Sequence, residues 1–333
     1  MITRRTFSQL AILSASAAAL RGGRSAFAYS KPDSKFNGVQ IGAIVPYSYH
    51  DVADTSAPAL LQLLVHDGIS GIELMNSTPE AFAGAPESPL TPGLSAGRPY
   101  VRQDVQSPRP APTPEQKAKQ AEYSAAMTKW RTSVPMSKFE ELRSMYNKAG
   151  VNIYAFKLGL TMDMPDAEFD YAFRVTKALG ASHFTTELPG DPALSDRIGK
   201  YAAKYKTLAC YHYHLLASPT AWDGALAQSP YNGINIDIGH YVAAGNTDVL
   251  DFIQKHHDRI GSIHIKDRKS KLNGSANMPW GQGDTPIKEV LRLMQREHYK
   301  FPASIELEYT PPEGSNCEKE LVKCVAYCRE ALG

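Results

Sequence analysis

The chain has 333 residues, with 36 Lys and Arg against 34 Asp and Glu, and 43% of its residues are hydrophobic. A net charge of +2 leaves no basic excess for gripping a phosphate backbone, which argues against a dedicated nucleic-acid binder. The mature length expected below, about 300 residues, allows one large domain or two small ones.

Positions 1–28 read as an export signal rather than as fold. Arg4-Arg5-Thr6-Phe7 precedes a small, apolar run from Leu10 to Leu20, and Ala26-Phe27-Ala28 offers a small-residue cleavage site. The paired arginines and Phe7 resemble a twin-arginine signal, a route that moves folded proteins with a cofactor already loaded. Ser8, where Leu is commoner, and the late Arg21 and Arg24 depart from that pattern. Residues 29–36 then form a linker, and the mature protein is expected in the periplasm or another extracytoplasmic space. No other run approaches the ~20 apolar residues that span a bilayer, so stable membrane insertion is not expected after signal removal. The four cysteines, Cys210, Cys317, Cys324 and Cys328, contain no Cys-x-x-Cys pair. Cys324 and Cys328 share one face of a helical run, where packing rather than a disulfide is expected.

In chain order, Gly38–Val45 reads as a first strand, mostly apolar as befits burial on both faces. Ala57–His66 is helical in period, and Ile69–Met75 is a second strand with Glu73 inside it. Residues 77–120 are dense in Pro, Ala, Gly and Ser and cannot be regular throughout. They form an insertion, either a lid or a disordered segment. A helix starts at Pro114 and runs past Trp130. Ser137–Gly150 is an amphipathic helix with Ser137 as N-cap, Glu140 in the capping-box position and Gly150 as its stop. Strands at 151–157, 183–187, 207–214, 234–238, 260–266 and 303–308 alternate with helices at 166–179, 196–205, 247–257, 286–297 and 318–332. Eight strands alternating with helices predict a parallel sheet, and that number fits a closed (β/α)₈ TIM barrel, a single domain over 37–333. No Gly-x-Gly-x-x-Gly follows the first strand, so a dinucleotide-binding sheet loses its main support.

Strand ends of such a barrel converge on one mouth, and four of them carry metal-competent groups: Glu187, Asp237, His264 and Glu306. Three carboxylates and an imidazole suit one Mn²⁺, Mg²⁺ or Co²⁺, with Zn²⁺ also competent. Glu308 points the same way as Glu306 and stays an alternative to it. His240, three residues after Asp237, is expected at substrate hydroxyls or behind a ligating carboxylate. His212 and His214 share one face of the fifth strand, to line the mouth or to pack between strand and helix. Lys157 binds a substrate oxygen or pairs across strands. Lys266 belongs with the substrate-binding set, paired with Asp267 so as to brace His264. Trp280, beside Gly281 and Gly283, stacks on a sugar face or anchors a loop hinge. His256 and His257 are expected at the surface.

Asp237-Ile-Gly-His240, His264-Ile-Lys-Asp267, Trp280-Gly-Gln-Gly-Asp284 and Ile305-Glu306 resemble the xylose isomerase-like barrel family. That family comprises sugar phosphate isomerases and epimerases and includes ketose 3-epimerases and endonuclease IV. The resemblance covers residues 37–333. It implies that Glu187, Asp237, His264 and Glu306 bind one divalent ion, although Glu187-Leu188-Pro189 departs from the family's Glu-Pro. It also implies a homo-oligomer. An ion chelated by a ketone oxygen and its neighbouring hydroxyl acidifies the C–H between them, with Glu187 and Glu306 removing and returning the proton. The chain then reads as a sugar isomerase or epimerase working through an enediolate on a small carbohydrate. The alternative is a lyase or hydratase that uses the same enediolate to expel a β-leaving group from a 3-keto-glycoside. An endonuclease IV-like nuclease needs three zinc ions and more ligands than this mouth offers, and a non-catalytic sugar-binding barrel has no need of all four ligands.

Overall fold

A computed structural model describes residues 31–88 and 113–333. The export signal at 1–28 and residues 89–112 of the insertion lie outside the described residues.

Within Lys31–Gly333, one compact unit, eight parallel strands follow in chain order: β1 (Val39–Val45), β2 (Gly71–Met75), β3 (Asn152–Lys157), β4 (His183–Glu187), β5 (Leu208–His212), β6 (Asn232–Asp237), β7 (Ile260–Ile265) and β8 (Ala303–Ile305). The sheet closes where Ile41, Gly42 and Ala43 of β1 pair with Ala303, Ser304 and Ile305 of β8. The TIM barrel expected from the sequence is therefore the fold. A two-residue strand, Lys35–Phe36, pairs antiparallel with the start of β1.

Alternation along the strands explains the interior. Ile72 and Leu74 on β2, Phe184 on β4, Ile234 and Ile236 on β6, and Ile263 and Ile265 on β7 are fully buried with the apolar core. Their neighbours in sequence point the opposite way and meet each other inside the barrel. Tyr154 Oη lies 2.6 Å from Ser304 Oγ, His183 Nε2 lies 2.9 Å from Ser262 Oγ, and Thr185 donates to Glu73 at 2.7 Å. Each buried Ile, Leu or Phe on the helix-facing side contributes about 1.5–3 kcal/mol. The polar layer inside is tolerable because its members satisfy one another.

The helices are α1 (Ala57–His66), α2 (Ser77–Phe82), α3 (Pro114–Ser133), α4 (Ser137–Ala149), α5 (Asp166–Ala178), α6 (Pro192–Tyr205), α7 (Asp223–Gln228), α8 (Ile238–Ala243), α9 (Val249–His256), α10 (Ile287–Arg296) and α11 (Cys317–Leu332). Ser137 does not cap α4: the cap position belongs to Met136 and no side chain fills it. The Phe139 and Glu140 amides that Ser137 would have to cap already bond to the Met136 carbonyl at 3.0 and 3.1 Å, so Ser137 stands inside the first turn with no free amide to accept from. The capping box forms instead at Thr113 and Gln116, opening α3. Residues 77–82 of the insertion are helical. β5 and β8 leave the ladder earlier than the residue pattern suggests, at His212 and Ile305. All four cysteines are buried and free.

A buried ion network ties the described ends of the insertion to the barrel. Arg131 of α3 bonds Glu80 of α2 at 2.9 Å and Glu168 of α5 at 2.6 Å, and Tyr171 donates to Glu80 at 3.2 Å. Removing the guanidinium leaves two buried carboxylates uncompensated. Arg131→Met is expected to destabilise the protein by about 3–5 kcal/mol, read as a lowered urea midpoint; an unchanged midpoint contradicts the network's structural role.

Candidate metal centre at the barrel mouth

The site is built where strands stop. Asp237 ends β6 and caps α8, its Oδ1 accepting the His240 amide at 2.7 Å. The chain turns there through Gly239, where an added Cβ would stand 2.5 Å from Cγ of Lys266, so only glycine lets α8 start against β7. His264, at the end of β7, is bracketed by two carboxylates. Its Nε2 meets Glu73 Oε2 at 2.7 Å and its Nδ1 meets Glu306 Oε2 at 2.7 Å. His264 and Glu73 are fully buried.

The polar layer below sets the tautomer of His212. Asn235 donates from Nδ2 to Ser262 Oγ at 2.6 Å. Its Oδ1 is thereby left to accept Nδ1–H of His212 at 2.9 Å, and His212 presents Nε2 as a lone pair. On β4, Glu187 pairs with Lys157 of β3 at 2.9 Å and with His214 Nε2 at 3.0 Å. Lys266 Nζ lies 2.6 Å from Glu308, 3.1 Å from Asp237 and 3.3 Å from Glu306, and 3.0 Å from His240 Nε2. Glu308 also meets Arg268 at 3.4 Å and accepts from Tyr47 at 2.8 Å.

Charge governs the protonation states. Burial alone would lower His264, but Glu73 and Glu306 overcome it and lift the imidazole to about 10. Burial alone would raise Glu73, and His264 more than reverses it, to about 2. Burial pushes Asp237 up against the pull of Lys266, with Glu306 adding repulsion. Burial and Lys157 hold His212 well below its ordinary range, in keeping with a neutral lone-pair donor. Burial and Lys266 do the same to His240. Desolvation opposes ionisation of Glu187, but Lys157 and the hydrogen bond to His214 hold its carboxyl well down.

His212, Asp237, His264 and Glu306 are all buried and each places a ligand atom within 4.8 Å of the others. Asp237 Oδ2 is buried and accepts no well-aligned hydrogen bond, although Lys266 Nζ lies 3.1 Å away. The ammonium compensates its charge, and with no well-aligned donor on it the oxygen keeps a lone pair that an ion could take. Two imidazole nitrogens and two carboxylates suit a divalent transition ion. The residues present therefore fit one.

Three of the four expected ligands, Asp237, His264 and Glu306, thus come together. Glu187 stands outside that group, with a side chain 48% exposed, and His212 provides the fourth atom. Glu308 is occupied by Lys266 and Arg268. Lys157 makes the cross-strand ion pair. Lys266 does not pair with Asp267: both lie just past the end of β7, and the ammonium is held by Glu308, Asp237 and Glu306. Asp267 instead accepts the amides of Gly281 and Gly283 at 2.8 Å each and of Thr285 at 3.3 Å, organising the loop that holds Trp280. Trp280 packs edge-on against Tyr327 of α11 at 5.5 Å. Glu73 and Arg268 were not expected in the site. The sign for Glu73 was a carboxylate set between Ile72 and Leu74 in an apolar strand; nothing in the pattern marked Arg268.

Residues 220–323 match the xylose isomerase-like TIM barrel family, a stretch that contains Asp237, His264 and Glu306. An inosose dehydratase of Bacillus velezensis is 30% identical over 151 residues, 38% of this chain and 49% of that protein. The chain thus spans about half the length of the curated relatives it matches. Among solved structures, the probable 3-DHS dehydratase AsbF of Bacillus anthracis superposes with a TM-score of 0.58 at 14% identity, over 86% of this chain and 97% of that one. The 3-keto-D-glucoside 4-epimerase YcjR of E. coli gives 0.56 at 10% identity, over 88% and 99%. The resemblance to the xylose isomerase-like TIM barrels is found again, in the matched segment and in the shape of the whole barrel.

The bracket around His264 makes metal-stripped protein pH-sensitive. Folding raises His264 from 6.5 to about 10, so its contribution is complete below pH ~6.5 and is lost as pH rises through ~10. Folding lowers Glu73 from 4.5 to about 2, so its contribution is complete above pH ~4.5 and is lost as pH falls through ~2. Urea midpoints of chelator-treated protein are expected to fall from pH ~6.5 towards 10, and His264→Gln to flatten that limb. A level wild-type profile over this range contradicts a protonated bracket.

Proposed function

We propose that this protein is an enzyme of the sugar isomerase, epimerase or related lyase kind, acting beside the carbonyl of a small carbohydrate with one divalent ion. The observation that carries this reading is a charge imbalance at the mouth. The network joins five carboxylates (Glu73, Glu187, Asp237, Glu306, Glu308) to three fixed cations (Lys157, Lys266, Arg268). With His264 protonated, five carboxylates face three fixed cations and one imidazolium, an excess of one negative charge. Loss of the His264 proton on ion binding raises the excess around His212, Asp237, His264 and Glu306 to two, the charge of one divalent ion.

Bound there, the ion supplies Lewis-acid polarisation of a ketone and its neighbouring hydroxyl. The chain's own residues do the rest. Glu187 stands at the rim, ionised by Lys157 and open to solvent, and is the group to remove the proton beside the carbonyl. Glu306, on the far side, is the group to return one. Lys266 and His240 orient substrate oxygens. In the lyase variant the same carbanion expels a β-hydroxyl, which leaves as water with the proton that Glu187 has taken up. The partial match to inosose dehydratases favours this lyase variant as the second reading. We further place the protein outside the cytoplasm, on the leader-like pattern of residues 1–28; Arg4→Lys with Arg5→Lys is expected to retain it in the cytoplasmic fraction, and unaltered export contradicts the twin-arginine route.

Deuterium exchange tests the chemistry. Protein loaded with Mn²⁺ and incubated in D₂O with ketoses, 3-keto-glycosides and keto-cyclitols is expected to place deuterium at the carbon beside the carbonyl. Glu187→Gln and Glu306→Gln should each slow exchange by about 10²–10⁴-fold, and chelation should abolish it. Formation of an enone identifies the lyase variant. Unchanged exchange in both variants removes these residues as base and acid.

A further inference from the structure

We propose that His212, His214 and His240 form a second ion position, made only of imidazoles, that takes Zn²⁺ in place of an ion at the carboxylate position beside it. Their ligand atoms lie within 4.8 Å of one another. His214 Nδ1 faces His240 Nε2 at 3.2 Å. Two nitrogens bound to one tetrahedral Zn²⁺ at ~2.0–2.1 Å sit roughly 3.3 Å apart, so this edge of the polyhedron already exists. Facing imidazole nitrogens share one proton, and an ion replaces it.

Two of the three nitrogens turned away from the ion are anchored as ligating imidazoles require, and the third, His240 Nδ1, faces Arg268 at 3.4 Å. His214 Nε2 is backed by Glu187 at 3.0 Å and His212 Nδ1 by Asn235 at 2.9 Å, which aims their other nitrogens inward. Lys266 donates to His240 Nε2 at 3.0 Å, but it keeps Asp237, Glu306 and Glu308 as partners if an ion claims that lone pair. His214, with 43% of its side chain exposed, gives the position access to solvent.

Exclusion follows from His212. With Nδ1–H committed to Asn235, it has one lone pair for one ion. Its ring stands 4.6 Å from that of His264 and 4.8 Å from that of His214, midway between the two positions. Neutral nitrogen donors favour Zn²⁺, whereas the carboxylate set also accepts harder ions such as Mn²⁺. Binding at the imidazoles stands without the proposed function; only the exclusion rests on the ion proposed there.

The test uses the chelator-stripped full chain, Zn²⁺ titration by calorimetry, and the resonance signal of free Mn²⁺. Wild type is expected to hold one Mn²⁺ or one Zn²⁺ per chain, with added Zn²⁺ releasing Mn²⁺ to solution. His214→Ala should weaken Zn²⁺ by ~10-fold or more, leaving Mn²⁺ affinity within about twofold, and Glu306→Gln should do the reverse. Circular dichroism checks that both variants fold, and the displacement in wild type needs no variant. Zn²⁺ affinity untouched by His214→Ala, or both ions lost together in both variants, overturns the second position. Simultaneous binding of Mn²⁺ and Zn²⁺ overturns the sharing of His212. Loss of Zn²⁺ in His214→Ala supports the imidazole position whether or not the enzyme turns over any sugar.

Discussion

The structure depends on one interaction, the bracket of His264 between Glu73 and Glu306. These residues come from β2, the end of β7 and the end of β8, so the bracket crosses the closed sheet. Buried charge of this kind is tolerated only when every member is paired. Glu73 is held further by Thr185 of β4, and Glu306 by Lys266. The strands are therefore locked by charge at the mouth, as their Ile, Leu and Phe side chains lock them against the helices.

Beneath the mouth, hydrogen bonding sets chemistry at a distance. The order Ser262, Asn235, His212 decides which nitrogen of His212 carries the hydrogen. That places a lone pair where two carboxylates and His264 converge. A Ser and an Asn on interior strand positions look like modest packing choices in isolation. Here they are orienting groups, and their polarity is what makes the imidazole usable.

Most of the fold was legible because period and punctuation agreed. Ala57–His66 and His183–Glu187 have the bounds that the residue pattern gives, and the order of strands left little but a closed barrel. Asp237, His264 and Glu306 were legible as strand-end groups. What could not be read was azimuth. Whether Glu187 or His212 reaches the common centre depends on strand tilt and side-chain length, and neither leaves a mark in the alternation. His212 lies opposite Glu187 in the β4–β5 register, so the two stand at one level of the barrel and the pattern does not separate them. Glu73 is hidden for the opposite reason: in the sequence it reads as part of a strand rather than of the mouth. Lys266 and Asp267 part company just past the end of β7, one turning to the carboxylates of the mouth and the other to the amides of Gly281 and Gly283.

Lys266 accounts for how so acidic a mouth folds at all. Asp237, Glu306 and Glu308 surround its ammonium at 3.1, 3.3 and 2.6 Å, and few groups other than an ammonium could sit among them while the chain is assembling. A mouth that relied on an ion alone would be unfolded without it, as small metal domains are. With Lys266 in place, the barrel carries its own counter-charge, and the ion proposed above would complete the neutralisation rather than initiate it. The flexible four-carbon stem lets the charge move among three partners. Glu308, which also holds Arg268 and Tyr47, is the partner best placed to keep the ammonium when Asp237 and Glu306 turn to an ion. Under the proposed ion binding, the two tasks fall on different carboxylates of one strand end, Glu308 holding Lys266 and Arg268 and Glu306 standing in the candidate ion group.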